Sequence, residues 1–201
     1  MISKLDAQEI IKKEYKEISR NPAATIGFSV GLPDENNFFE WRCTLMGPSD
    51  TPYAGSLFYV KVLFPDNYPQ GRPEVRFITP IYHVNVNPVQ NYGPDIDPLG
   101  HVCINTINEW KPTYTMKQVF VDIFALFYLG NPESPFSMEM KDELKNHKDV
   151  YDKKIKYFCK KYAKIGKPCQ EFTSWDFTYN EKYPYKFKRE KRCHFNKTNK
   201  I

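Results

Sequence analysis

Residues 3–19 alternate between apolar and polar positions with the period of an amphipathic helix. Ser3 stands where it could cap this helix, with Asp6 three residues further on. The Asn21-Pro22 pair then interrupts the helical pattern. The apolar residues that fall near one stripe of the helix are Leu5, Ile10, Ile11, Tyr15 and Ile18. We therefore expect the chain to open with a helix that packs through this stripe.

Beyond residue 25 the pattern changes to that of β-strands. Short runs rich in β-branched and aromatic residues are each bounded by Gly, Pro, Asn or Asp, and they cover residues 25–32, 37–47, 56–65 and 74–80. Connections this short favour an antiparallel meander. In the second run polar residues alternate with apolar ones, as is typical of a sheet with one face in water. The apolar positions are Phe39, Trp41, Cys43 and Leu45.

Residues 79–114 are irregular and contain five prolines. A connection of this length is usually functional when it is structured. Helical periodicity returns over residues 115–129, interpreted as a buried central helix, and two further helices are expected at about 137–146 and 148–164. The order is one N-terminal helix, a four-stranded antiparallel meander sheet, a cysteine-bearing loop and three C-terminal helices. This order predicts the α+β class, with helices packed on the sheet.

The composition is that of a globular protein, with 41% hydrophobic and 26% charged residues. No apolar run approaches the roughly 18 residues that a membrane helix needs, so we expect no membrane span. The N-terminal residues are charged throughout and lack the apolar core of a signal peptide. These features favour a cytoplasmic or nuclear location.

The cysteines, five in number, show no zinc-type spacing. We therefore expect neither a disulfide framework nor a metal site, and the sequence indicates no cofactor. Cys43 lies in a strand-like run and Cys159 in a helical one, so both are expected to be small buried hydrophobes. Cys103 differs because it lies in the irregular region, between Gly100 and Asn105. Its local sequence allows two interpretations, an exposed nucleophile in a shallow groove or one more packed thiol.

The excess positive charge is confined to the C-terminal end. Residues 165–201 contain nine Lys or Arg and four Asp or Glu, whereas the whole chain contains 29 and 24. The sequence thus divides into a neutral body, residues 1–165, and a basic, aromatic extension, residues 166–201. Such an extension could bind nucleic acid or an acidic protein, but the neutral body argues against a nucleic-acid-binding protein. We expect residues 172–187 to pack on the body and residues 186–200 to be mobile.

Several motifs surround Cys103 in a fixed order along residues 3–164. They are Met46-Gly47-Pro48, Thr51-Pro52-Tyr53-Ala54-Gly55, Phe64-Pro65-Asp66-Asn67-Tyr68-Pro69, Tyr82-His83-Val84-Asn85, Gly100-His101-Val102-Cys103-Ile104-Asn105, Trp110-Lys111-Pro112 and Asn131-Pro132-Glu133-Ser134-Pro135. In the order and spacing of these motifs the chain resembles the ubiquitin-conjugating enzyme family. The resemblance implies the UBC fold and an active acyltransferase in which Cys103 accepts ubiquitin as a thioester.

The resemblance also implies a set of partners. An activating enzyme would deliver ubiquitin or a ubiquitin-like protein to Cys103 by thiol exchange, and a substrate lysine would then attack the thioester, usually with a RING or U-box ligase. Two alternatives stay open. Asn105 with Trp110-Lys111-Pro112 is similar to members that carry a ubiquitin-like modifier. A non-catalytic ubiquitin-binding variant is the other alternative, although such variants lack the cysteine.

Other residues take their expected roles from the same resemblance. Asn85 matches a family asparagine that is either an oxyanion donor or a turn-former, and His83 is expected to stabilise the turn rather than act as a base. Ser134 stands where the family often has an acidic residue, so it could tune discharge, also through phosphorylation. The ligase-binding residues would be Pro69, Gln70, Lys111, Pro112 and Thr113. Lys12 and Lys13 of the opening helix would meet the activating enzyme.

Two departures from the family concern the active site directly. Val84 replaces the usual proline between His83 and Asn85, so we expect the same turn with slightly more freedom. The interval between Asn85 and Cys103 is 17 residues, longer than is usual in the family. The extra segment, residues 88–99, could be a lid, an acidic guide for the incoming lysine or an inert excursion. Because of this extra segment, Asn85 could be placed differently relative to the thioester than in other members of the family.

Overall fold

The computed structural model describes residues 2–20, 27–88 and 99–170. Its elements are α1 (Lys4–Arg20), β1 (Phe28–Gly31), β2 (Glu40–Met46), β3 (Leu57–Leu63), β4 (Glu74–Phe77), α2 (Asn105–Asn108), α3 (Met116–Leu126), α4 (Met138–Asn146) and α5 (Lys148–Tyr162). This is the predicted α+β order with one addition, α2. The expectations for the 21–22 break, for most of the 88–99 segment and for residues 171–201 lie outside the described residues.

The four strands form one antiparallel sheet in the order β1-β2-β3-β4, which confirms the predicted meander. Cys43 of β2 pairs with Val60 of β3, and Val60 pairs with Phe77 of β4. Trp41, Cys43 and Leu45 are fully buried, so the alternation in β2 separates an inner face from an outer one.

Helix α1 begins at the predicted capping pair. The amide of Asp6 donates to Ser3 Oγ (3.2 Å), and the amide of Ser3 donates to the Asp6 carboxylate (3.2 Å). The buried face of α1 consists of Ala7, Ile11 and Ile18. The predicted stripe is wrong at Leu5, which is 75% exposed. At about 100° per residue, Leu5 lies well to one side of Ile11 and faces water.

Helix α3 packs on the inner face of the sheet, where the ring of Phe120 stacks on Phe28 of β1 with centroids 3.8 Å apart. A capping box between Thr115 and Gln118 starts the helix. The helix is shorter than the predicted range 115–129, and the face that carries Met116, Val119, Phe120 and Ile123 is buried, as expected. Val121, on the opposite face, is 43% exposed. Helix α3 is therefore amphipathic.

Buried charges join α4 and α5. Lys154 of α5 is 2% exposed, and its Nζ lies 2.5 Å from a carboxylate oxygen of Glu143 and 3.1 Å from one of Glu139. The hydroxyl of Tyr82 donates to Glu143 (2.7 Å). We call Tyr82, Glu139, Glu143 and Lys154 the ion network. It ties both helices to residue 82, where the chain enters the candidate site.

Helix α2 is not predicted by the sequence, because four residues make about one turn and show no periodic pattern. In the described chain, four helices rather than three therefore follow the cysteine. Cys43 and Cys159 are buried, as predicted, and burial raises the pKa of Cys159 to about 11. Within the described ranges, no helix is long and apolar enough to cross a membrane. Those ranges also contain no cluster of three or more His, Cys, Asp and Glu side chains suited to a metal ion.

Candidate active site

The candidate site begins at a turn in which the amide of Val86 donates to the carbonyl of His83 (3.1 Å). His83 is buried, its Nε2 donates to the carbonyl of Leu126 (3.0 Å), and its Nδ1 accepts from the amide of Asn85 (3.0 Å). Burial lowers the pKa of His83 to about 4, so the ring is neutral at pH 7. Both ring nitrogens are engaged in holding the turn. This geometry suits a structural histidine better than a general base.

Val84 occupies the position at which the family usually has proline. Its amide donates to the hydroxyl of Tyr151 in α5 (2.9 Å), and its carbonyl accepts from the amide of Phe136 (2.9 Å). A proline has no amide hydrogen and could not make the first of these bonds. The freedom gained by losing the proline ring is therefore offset by a buried hydrogen bond to α5.

A short antiparallel pair brings Asn85 to Cys103. The amide of Cys103 donates to the carbonyl of Asn85 (2.8 Å), and the amide of Gly100 donates to the carbonyl of Asn87 (2.9 Å). The backbones of Asn85 and Cys103 are thus in contact although 17 residues separate them in the sequence. Residues 89–98 lie outside the described part of the chain, and the three roles considered for the extra segment stay predictions.

Gly100 holds the cysteine segment against β4. Its carbonyl accepts from the amide of Phe77 (2.8 Å), and its φ of 81° is one that other residues rarely adopt. A Cβ at this position would lie 2.0 Å from the carbonyl oxygen of Phe77. Any other residue would therefore displace the segment that carries Cys103.

The side chain of Asn85 is fully buried and all of its polar atoms are bonded. Its Oδ1 accepts from the amide of Asn131 (2.7 Å). Its Nδ2 donates to the carbonyls of Asn131 (2.8 Å) and Ser134 (2.9 Å). Both amide hydrogens are consequently directed at backbone carbonyls, and Asn85 positions the 131–134 loop beside the cysteine.

The sulfur of Cys103 lies between that loop and α2. Its Sγ is 3.1 Å from the hydroxyl oxygen of Ser134 and 3.1 Å from Nδ2 of Asn108. Of the two interpretations of Cys103, the structure matches the packed thiol, since the residue is 8% exposed. The physical reason is that a loop 31 residues away in the sequence folds over it.

Asn108 is the site residue that sequence reasoning missed. It belongs to α2, whose single turn gives no periodicity, and it matches none of the motifs that identify the site. Side chains of a helix lean toward its N-terminus, so the amide of Asn108 reaches back to the residue two positions before α2 begins. The sequence signal that could have indicated Asn108 is a polar residue that follows the proposed nucleophile, Cys103, within a short stretch of chain.

Trp110 joins the two loops predicted to bind a ligase. Its Nε1 donates to the carbonyl of Pro69 (2.7 Å), and its ring lies against Tyr68, with centroids 5.8 Å apart. The predicted ligase-binding residues that are exposed are Gln70, Lys111, Pro112 and Thr113, whereas Pro69 is half-buried. The structure therefore places both loops on one continuous surface.

The residues predicted to meet the activating enzyme lie on α1. Lys13 is exposed, whereas Lys12 is half-buried and bonds to Glu9 (3.0 Å) while its Nζ lies 5.4 Å from the ring centroid of Phe38. The predicted site residues thus fall into three groups. Ser134 lies beside the sulfur, Asn85 bonds to the Cys103 amide and His83 holds Asn85, whereas the two predicted binding surfaces lie on other elements.

The sequence of this chain is similar to a family and to several characterised proteins. A family model described as ubiquitin-conjugating enzyme matches residues 10–159. Ubiquitin-conjugating enzyme E2 13 of Arabidopsis thaliana is 36% identical over 152 residues, which cover 73% of this chain and 89% of that protein. Ubiquitin-conjugating enzyme E2 7 of Arabidopsis thaliana is 34% identical over 155 residues, covering 74% and 91%. Ubiquitin-conjugating enzyme E2 15 of Schizosaccharomyces pombe is 28% identical over 164 residues, covering 75% and 91%.

Proposed function

This chain belongs to the ubiquitin-conjugating enzyme family, transferases that work through a cysteine thioester, and we propose that Cys103 is the residue that carries ubiquitin. Cys103 lies inside the matched range, next to the turn at His83–Val86. The observation that carries the proposal is the position of its sulfur, held between the Ser134 hydroxyl and the Asn108 amide. Cys43 and Cys159 belong to the hydrophobic core.

The first step is thiol exchange with the activating enzyme. The thiolate of Cys103 attacks the carbonyl carbon of the delivered thioester, and the thiolate of the activating enzyme leaves. One thioester replaces another, so the reaction is nearly isoenergetic and needs no strong base.

The second step is aminolysis by a substrate lysine. The lysine nitrogen attacks the thioester carbon, the C–S bond breaks, and the sulfur leaves as a thiolate while the amine loses a proton to water. His83 does not take this proton, because its ring is buried and both nitrogens are bonded. The tetrahedral intermediate carries an oxyanion, which a correctly placed hydrogen-bond donor would stabilise.

Of the two roles considered for Asn85, we propose the one that shapes the site. The hydrogens of its amide both point to carbonyls of the 131–134 loop, and breaking these bonds would leave buried polar groups without partners. Its contribution is then to hold Ser134 beside the sulfur. This supports Ser134 as the position that tunes the transfer.

The surfaces around the site support two protein partners. The exposed loop residues joined through Trp110 are proposed to bind a RING or U-box ligase, because Gln70 stands where members that serve HECT ligases often carry a large aromatic. Lys12 and Lys13 are proposed to contact the activating enzyme. On composition alone, we also propose a cytoplasmic or nuclear location and a catalytic core that ends near residue 165, shortly after the family match ends.

A charging assay tests the proposal. The protein is mixed with activating enzyme, ATP and either ubiquitin or one of a panel of ubiquitin-like modifiers, and adducts are separated without reductant. We expect a thiol-sensitive adduct with ubiquitin that is absent in Cys103→Ala. Cys169→Ala is the matched control, since Cys169 is an exposed cysteine outside the site. Absence of an adduct with every modifier, or an adduct retained in Cys103→Ala, would contradict the proposal, and charging by another modifier alone would replace ubiquitin with that modifier.

A further inference from the structure

Two asparagine amides lie close to Cys103, and they differ in what their hydrogens do. Those of Asn85 are directed at the carbonyls of Asn131 and Ser134. Nδ2 of Asn108 is instead directed at the reacting atom, 3.1 Å from Sγ. Among the described residues, the Asn108 amide makes no second hydrogen bond, so one N–H remains available to a group attached to the sulfur.

The position of Asn108 is fixed by the short helix that carries it. The amide of Asn108 donates to the carbonyl of Ile104 (2.9 Å), and the amide of Glu109 donates to the carbonyl of Asn105 (2.8 Å). Ile107 is fully buried and Ile104 is 6% exposed, so apolar packing holds the turn in place. The amide of Asn108 is therefore held ready rather than recruited from a mobile loop.

We propose that Asn108 is the hydrogen-bond donor to the thioester oxygen during transfer, the role that Asn85 cannot fill in this structure. This rests on the proposed thioester at Cys103. The carbonyl carbon of the thioester is bonded to Sγ, and its oxygen lies one bond further, within the reach of a donor that already contacts the sulfur. When lysine attacks, negative charge develops on that oxygen and the Asn108 N–H stabilises it. When the C–S bond breaks, the same amide donates to the departing thiolate.

The test compares Asn108→Ala and Asn108→Asp with the wild-type protein. Each variant is first charged and purified, and single-turnover discharge is then measured with free lysine. We expect discharge to slow by ~10- to 100-fold in both variants, because Asp keeps the shape of Asn but presents an acceptor. Glu109→Ala is the matched control at the end of the same helix, where Glu109 is exposed, and it should discharge at the wild-type rate.

A second measurement separates the donor role from a structural one. The rate of iodoacetamide alkylation at Cys103 at pH 7, followed by peptide mass spectrometry, should fall severalfold in Asn108→Ala because the thiolate loses a donor. The urea midpoint should stay near that of the wild type, whereas Asn85→Ala should lower it. Wild-type discharge in Asn108→Ala together with slow discharge in a folded Asn85→Ala would overturn the inference. If neither the wild-type protein nor any variant can be charged, the proposal of a thioester at Cys103 fails. An unchanged alkylation rate in Asn108→Ala would count separately against Asn108 as a hydrogen-bond donor to the sulfur.

Discussion

The ion network and the cysteine site lie on either side of the same short segment, residues 82–85. The buried polar groups of the two regions differ in their hydrogen-bond partners. In the network, the charge of Lys154 is matched by Glu143 and Glu139, and Tyr82 donates to Glu143. At the site, two neutral groups lie beside the Cys103 sulfur, the hydroxyl of Ser134 and the amide of Asn108.

The difference follows from what each region must do. Charges taken out of water are tolerated when they are paired, and the pair then fixes the elements that supply it. Burial raises the pKa of Tyr82, with the nearby Glu143 carboxylate adding to the effect, so its hydroxyl stays a donor at neutral pH. The sulfur gains and loses negative charge during each cycle. A neutral hydrogen-bond donor that is already in place stabilises this charge as it develops. The network is thus expected to control stability and the site to control rate.

Removing the network cation should have the largest effect. Lys154→Met leaves the carboxylate of Glu143, itself 3% exposed, without its cationic partner, and we expect the free energy of unfolding to fall by about 3–5 kcal/mol. Urea denaturation measures this loss. Charging of Cys103 per folded molecule should change little, because Lys154 bonds to Tyr82, Glu139 and Glu143 of the ion network.

A double variant provides the control for this prediction. In Lys154→Met with Glu143→Gln, the buried charge is gone and the new amide oxygen can still accept from Tyr82. This variant should recover part of the loss, about 1–3 kcal/mol relative to Lys154→Met alone. Equal stability of the single and double variants, or slow charging in both, would break the division between a region for stability and a region for rate.

His83 lies between the two regions and should make stability depend on pH. Burial lowers its pKa to about 4, whereas a histidine in the unfolded chain has a pKa of about 6.5. Between these values the unfolded chain binds a proton that the native ring does not, so stability falls as the pH decreases. The slope contributed by this residue is at most about 1.4 kcal/mol per pH unit, or about 2 kcal/mol between pH 6.5 and 5.

The measurement is the free energy of unfolding at pH 7 and pH 5 for the wild type and His83→Gln. We expect His83→Gln to be less stable than the wild type at pH 7. Because glutamine does not titrate, the difference in the free energy of unfolding between the two proteins should be smaller at pH 5. A constant gap would mean that His83 is protonated to the same extent in the native and unfolded states, and that the turn is more open than the structure has it.

The fold was predictable where a pattern extends over several residues. The alternation around Trp41, Cys43 and Leu45 set the inner face of β2, and the capping pair Ser3–Asp6 set the start of α1. Leu5 was misplaced because an amphipathic stripe can be drawn at slightly different angles when the surface it packs on is unknown. The helix predicted over residues 115–129 was found, because its apolar residues recur on one face, and Met116, Val119, Phe120 and Ile123 of that face are buried.

The site was predictable only as far as its motifs reach. They identified Cys103, Asn85 and Ser134, because these residues stand in recognisable strings. The burial of the sulfur depends on a contact across 31 residues, and the role of Asn108 depends on a single helical turn. Neither leaves a periodic signal, and the bonds of the Asn85 amide are visible only once the 131–134 loop is in place.

The smallest effect is expected at Ser134, whose hydroxyl oxygen lies 3.1 Å from the sulfur. A carboxylate here would attract a cationic lysine and would accept the proton that the amine loses during attack, so Ser134→Asp should discharge to lysine several-fold faster than Ser134→Ala. Hydroxylamine, which is neutral, should discharge both variants at similar rates and serves as the chemical control. Since phosphorylation adds the same sign of charge, the phosphorylated serine should resemble the Asp variant. Unchanged lysine discharge in both variants would remove Ser134 from the set of groups that tune the rate, and would leave Asn108 as the proposed donor at the sulfur.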